Sequence, residues 1–221
     1  MACSKIIGAR AYRRGSSDGL SPLDDVGHGS HTASTVAGRP VSNVSFDGLA
    51  AGVARGAVSG ARLAVYKVCW DGVGCGGADI LAAFDDAIAD GVDVISFSIG
   101  GSMPWPYFRD AAAIGSFHAV RRGVVTSTSA GNSGLPGPGG GRVCNVAPWM
   151  LSVAASSIDR RFTDTIVLGN GETIVVSAGT KLLSVLLIIF LQRNKYQIKR
   201  RKTLFFTFFS CREPPSTPSQ R

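Results

Sequence analysis

From residue 62 onward the chain alternates short apolar runs with amphipathic stretches, and this pattern limits the architectures open to it. Arg62–Val68 has the composition of a strand, and Ala78–Ile88 that of a helix with Ile80, Leu81, Phe84 and Ile88 along one stripe. Asp79, Asp85, Asp86 and Asp90 lie off that stripe and are expected to face water, and Gly91 is placed to end the helix. Val92–Ser98 predicts a second strand, apolar enough to be covered on both faces. Phe108–Arg122 predicts a second helix with Ile114 and Phe117 inward and Arg121-Arg122 in its last turn, where cations suit the helix dipole. Gly123 stops it, Val124–Ser129 gives a third strand and Met150–Ala155 a fourth. Strands separated by helices imply βαβ units, hence an α/β fold with a parallel sheet flanked by helices. Ile166–Val176 predicts a closing hairpin turned by Asn170-Gly171, whereas residues 1–26 and 39–61 carry no regular period.

The composition changes near Thr180. All 28 glycines and every alanine precede residue 181. Residues 181–221 hold nine of the 23 Lys and Arg but one of the 15 acids, so the net charge of +8 belongs to this stretch and the first 180 residues are neutral. That distribution argues against a nucleic-acid-binding body. We therefore place a domain at 1–180 and treat 181–221 as an unrelated basic and hydrophobic tail outside the fold. Its apolar run Leu182–Leu191 is too short to span a bilayer, and membrane contact by the tail is not expected. Cys69 and Cys75 close a short loop and are either a local disulfide or free thiols, depending on the redox compartment. Asn43-Val44-Ser45 fits a glycosylation sequon, and Met1–Arg10 has no apolar core of a signal peptide.

The stretch with the most chemical content is Gly27-His28-Gly29-Ser30-His31-Thr32-Ala33-Ser34-Thr35. Glycines on either side leave the imidazole uncrowded. The small and β-branched residues up to Gly38 predict a short helix, about 29–37, suited to burial inside a larger fold, with His28 at its mouth. Two further loops follow predicted strands at the carboxyl edge of the sheet, where ligands bind in open α/β folds. Ser98-Ile99-Gly100-Gly101 could let a peptide backbone pair alongside, and Ser129-Ala130-Gly131-Asn132-Ser133-Gly134 presents a side-chain amide to the same cleft.

Asp24-Asp25-Val26-Gly27-His28-Gly29-Ser30-His31-Thr32-Ala33-Ser34-Thr35 resembles the histidine motif of the subtilisin-like serine proteases, the plant branch in particular, with Ser30 in place of the usual threonine. The resemblance runs from Lys5-Ile6-Ile7-Gly8-Ala9-Arg10 to about Gly171. It implies a subtilisin-like fold, truncated at both ends, and a secreted, apoplastic endopeptidase acting on polypeptides without a cofactor. It also implies that His28 is the catalytic base, that Asn132 donates to the oxyanion, and that Ser98, Ile99, Gly100 and Gly101 form the substrate-binding strand. A neutral imidazole can take the proton of an attacking serine, and an amide can stabilise the oxyanion that then develops.

The other two triad members are not matched. Family triads run in the order Asp, His, Ser. The aspartate is expected upstream of the histidine motif in an Asp-Thr/Ser-Gly context, before Met1, and Asp18, Asp24 and Asp25 do not fit that context. The nucleophile belongs to a Gly-Thr-Ser-Met motif, which these 221 residues do not contain. The chain alone is therefore expected to be inactive, its alternative role being a peptide- or partner-binding module. Gly72-Val73-Gly74-Cys75-Gly76-Gly77 formally satisfies a dinucleotide fingerprint, but Asp93 lies at the wrong end of the next strand to hold a ribose. His28 and His31 at helical spacing lack a third zinc ligand, and His118 is an ordinary helix histidine.

Overall fold

The computed structural model describes residues 5–16, 19–46, 48–134, 141–156, 163–167, 170–177 and 202–203. In chain order the elements are β1 (Ile6–Ala11), α1 (His28–Ala37), β2 (Val41–Phe46), β3 (Leu49–Ala54), β4 (Leu63–Lys67), β5 (Cys69–Trp70), β6 (Gly74–Cys75) and α2 (Gly77–Ala89). They continue with β7 (Val94–Phe97), a 3-10 turn (Tyr107–Arg109), α3 (Ala111–Arg121), β8 (Val125–Ser129), β9 (Leu151–Val153), β10 (Thr163–Val167), β11 (Thr173–Ser177) and β12 (Lys202–Thr203). The described residues fall into two units, 5–33 with 60–156 and 34–59 with 163–203.

The first unit holds the α/β architecture. β7, β8 and β9 pair in parallel, and β1 pairs in parallel with β4, an N-terminal strand in a region with no readable period. α2 and α3 pack on each other, and the core gathers Val68, Ile80, Ala83, Phe84, Phe97 and Ala112. Phe84 of α2 meets Phe97 of β7 with ring centroids 5.6 Å apart, and full burial of such a ring is worth about 1.5–3 kcal/mol.

Both helices end in the same way. Gly91 and Gly123 adopt φ of +75° and +80°, which a side chain would strain. The next amides, Val92 and Val124, reach back to the carbonyls of Ala87 and Ala119 at 3.3 and 3.0 Å, satisfying carbonyls that the helix itself leaves open.

Several expectations need correction. α3 begins at Ala111, not Phe108: Asp110 has extended backbone and its carboxylate accepts from Ala112 N–H at 2.9 Å, an N-cap that fixes the start. Its buried face is Ala112, Ala113, Gly115, Ser116 and Ala119, whereas Phe117 is exposed and stands edge-on to Trp149 at 5.2 Å. Small residues are required there because a Cβ on Gly115 would run into the Phe84 ring. Asp86 faces water, its side chain 43% exposed, and is also engaged. It pairs with Arg10 at 2.9 Å and accepts from Tyr12 Oη at 2.7 Å, while Asp90 binds Arg10 at 2.9 Å and Tyr66 Oη at 2.7 Å. These contacts tie β1 and β4 to α2. Partial burial, then the Asp90 carboxylate, pushes the Tyr66 phenol up to about 12.

Strand β7 is covered on one face only. Ile95 and Phe97 point to the helices with Thr126 and Thr128 of β8. Val94, Val125, Leu151 and Val153 alternate to the opposite face and are about half exposed or more.

In the second unit, residues 41–54 form the antiparallel hairpin β2–β3, also absent from the sequence expectations. The later hairpin β10–β11 is present, but its last pair is Val167 with Thr173, so Asn170-Gly171 sits within a longer loop. β12 pairs with β10.

Candidate active site

His28 occupies the first turn of α1, and its position follows from Gly27 and Asp24. Gly27 has φ +92°, and its carbonyl accepts from His31 N–H at 3.0 Å, the first bond of the helix. Gly27 has no side chain with which to cap the turn, and Asp24 supplies the acceptor instead. Its Oδ1 takes the amides of Val26 and Gly27 at 3.1 and 2.8 Å, and its Oδ2 takes the Ser30 amide at 2.6 Å. Desolvation raises the Asp24 carboxyl, but the amides of Ser30 and Gly27, with the Ser30 hydroxyl, outweigh it and hold the group at about 2.

Asp25 is occupied differently: Lys67 Nζ lies 3.0 Å from its Oδ1, donates to Leu23 O at 2.7 Å and stands 4.2 Å over the Trp70 ring. Both aspartates before the motif are thus engaged away from His28, whose ring makes no hydrogen bond or ion pair among the described residues. Asp18 lies outside the described residues.

The burial expected for α1 does not hold. Only Ala37 is buried, and His28 itself is exposed. The physical reason is in its composition: a helix of Gly, Ser, Thr, Ala and His with Val36 as its one large apolar residue offers little apolar surface to draw a cover. Gly38, just past the helix, permits close approach within the second unit. A Cβ there would lie 2.6 Å from Ser34 O and 3.3 Å from Gly56 N.

The two loops at the carboxyl ends of β7 and β8 lie side by side, as parallel pairing of those strands requires. Residues 144 and 145, from a segment to which the sequence assigned no role, join them. Asn145 Nδ2 donates to Ile99 O and to Ser129 O, each at 2.8 Å. Asn145 is 5% exposed and adopts φ +55°. Cys144 packs beneath the same loops. A Cβ on Gly100 would collide with its Sγ, and one on Gly131, which already has φ +84°, would lie 2.8 Å from it. Cys144 N–H donates to Ala130 O at 3.0 Å, and burial pushes its thiol up.

Above this support Ser98 and Ile99 are half-buried, and Gly100, Gly101 and Asn132 are exposed. The structure thus brings the Ser98–Gly101 segment and the Asn132 loop together. No hydrogen bond or ion pair joins either loop to His28 among the described residues. Two surface cavities, of about 340 and 390 Å³, lie elsewhere, at the amino edge of β7 and β8, lined by Asp85, Ile88, His118, Arg121 and Arg122 and by Ile88, Gly91, Val92, Asp93, Arg122, Gly123 and Val124.

The dinucleotide-like run has another use. Cys69 and Cys75 form a disulfide and pair across the hairpin β5–β6, and Gly72 in its turn and Gly74 at the start of β6 take φ of +68° and +88°. No group of three or more His, Cys, Asp or Glu able to hold a metal ion occurs among the described residues.

Residues 9–204 match the family model described as the Subtilase family. The chain belongs to the subtilase family. Among its relatives, subtilisin-like protease SBT4.15 of Arabidopsis thaliana is 52% identical over 175 residues, covering 77% of this chain and 22% of the relative. Subtilisin-like protease SBT4.3 of the same plant is 55% identical over 174 residues, covering 78% and 23%. Subtilisin-like serine-protease S of Lotus japonicus is 48% identical over 184 residues, covering 77% and 24%. The subtilase chain thus spans less than a quarter of the length of these curated relatives. Among solved structures it is similar to the S41 psychrophilic protease, at 23% identity and a TM-score of 0.48, covering 78% of this chain and 51% of that one.

Proposed function

We propose that this chain carries the base-and-oxyanion half of a subtilase active site for cleaving polypeptides. His28 is the general base, Asn132 donates to the oxyanion, and Ser98, Ile99, Gly100 and Gly101 pair with an extended substrate. The observation that carries this reading is the Asn145 side chain bonded at 2.8 Å to both Ile99 O and Ser129 O, which holds the substrate segment beside the asparagine loop. The exposed His28 ring is free to meet a substrate. On this reading the 221 residues, lacking a Gly-Thr-Ser-Met segment, bind extended peptides weakly and do not hydrolyse them.

An extracellular location is supported by the Cys69–Cys75 disulfide, which persists in oxidising compartments, and by the exposed Asn43 of the Asn43-Val44-Ser45 sequon. The compositional break near Thr180 supports ending the protease domain there, against which stand the family match to residue 204 and the pairing of Lys202–Thr203 with β10.

Titration of the isotopically labelled chain with an acetylated tetrapeptide amide tests the site. The Gly100 and Gly101 amides and the Asn132 side-chain amide are expected to shift together. Shifts confined to other surfaces, or none, would refute the assignment.

A further inference from the structure

We infer that Asn145 is a positioning residue whose carboxamide sets the spacing between the substrate-pairing segment and the oxyanion loop. The inference rests on the functional reading above and adds a residue to it.

A carboxamide nitrogen carries two N–H donors in one plane, 120° apart in character, and no other uncharged side chain of this length offers both. Asn145 spends them on carbonyls that belong to different strands, Ile99 O at the end of β7 and Ser129 O at the end of β8, each at 2.8 Å. These carbonyls lie just past the last β7–β8 pair, Phe97 with Thr128, where the ladder stops and the strands would otherwise part. The side chain therefore extends the coupling of the two strands by one step into the loops.

Three further features hold the clamp in place. Asn145 is 5% exposed, so water competes poorly for its donors, and leaving either carbonyl unpaired there is costly. Its φ of +55° is one that asparagine tolerates better than most residues, which fits the choice of side chain at this point. Its neighbour Cys144 fills the space under Gly100 and Gly131, so both loops rest on one dipeptide. Asn145 touches no substrate. It acts through Ile99 and Ser129, and so sets where Asn132 stands relative to Gly100 and Gly101.

The test uses the whole 221-residue chain and two variants. Asn145→Gly keeps the positive φ accessible and removes the amide, and Asn145→Asp keeps shape while replacing the N–H group with an oxygen. In the unliganded variants, exchange of the loop amides Ala130 and Cys144, which donate to Val153 O and Ala130 O, is expected to rise at least tenfold, with exchange at Phe84 and Ser116 in α2 and α3 changed less than threefold. With the acetylated tetrapeptide amide, the shifts at Gly100 and Gly101 persist and the Asn132 side-chain shift falls at least threefold. General destabilisation would instead move the helix amides along with the loops.

Loop exchange and peptide response unchanged in both variants would overturn the inference. Should neither variant fold, the wild-type side chain decides: its Nδ2 protons are expected to exchange at least a hundredfold more slowly than a free carboxamide, and unprotected protons would overturn the clamp. A wild-type chain that ignores the peptide would sink the functional reading, while the exchange data still judge Asn145.

Discussion

Asp24→Ala is the perturbation that probes most sharply how His28 is held. The carboxylate takes three backbone amides, Val26, Gly27 and Ser30, at 3.1, 2.8 and 2.6 Å, and Gly27 in the capping position can take none. Loss of a cap costs about 0.5–2 kcal/mol. Because Asp24 is exposed, solvent screening places the expected loss near 1 kcal/mol. The pH dependence gives a second handle. The folded carboxyl lies at about 2, below its ordinary 3.8, so its contribution is complete above pH 4 and is lost as pH falls from 4 towards 2. The measurements are amide exchange at Ser30 and urea unfolding of wild type and variant between pH 2 and pH 7. Exchange at Ser30 should quicken about fivefold at pH 7, matching about 1 kcal/mol, and the stability gap between the two proteins should close by pH 2. A gap that persists at pH 2, or Ser30 exchange that does not change, would refute the capping argument.

Two more outcomes follow from packing and composition. Gly115→Ala should destabilise the first unit by about 1–3 kcal/mol, because overpacking against Phe84 outweighs the better helix propensity of alanine; adding Phe84→Leu should recover part of that loss in urea unfolding. Deleting residues 181–221 removes β12 from its partner β10 but should leave amide exchange in α2 and α3 of the first unit unchanged, and a marked rise there would show that the first unit depends on that stretch.

β4, α2, β7, α3 and β8 are legible because their periods are clean: a helical stripe ending in Gly91, a second ending in Gly123, and apolar runs between them, whereas the β5–β6 hairpin carries no such period. Asp110 ahead of Ala111-Ala112-Ala113 was a readable cap signal, and overlooking it moved the start of α3 by three residues. β1 was not legible, since Ile6-Ile7-Gly8-Ala9-Arg10-Ala11 does not alternate and its partner β4 lies more than fifty residues on. The β2–β3 hairpin is hidden by register shifts on both sides of Val44 and by positive φ at Asn43 and Ala50, which break the period of two.

At the site, the local motif around His28 and the glycine-flanked Asn132 could be singled out from residue types alone. Asn145 could not. Its two acceptors lie 16 and 46 residues away, and nothing in Val143-Cys144-Asn145-Val146 distinguishes a clamp from a loop asparagine. Asp24 does not fit the context of a triad acid, and its turn with Val26 and Gly27 is instead the local signature of a carboxylate bonded to its own backbone.

The most direct test of the half-site is labelling of the purified chain with a fluorophosphonate probe, which reacts only with an activated serine. No labelling is expected, because His28 and Asn132 have no matched nucleophile among these 221 residues. Labelling of wild type that disappears in His28→Ala would contradict it, and would mean that a serine already in this chain completes a working site.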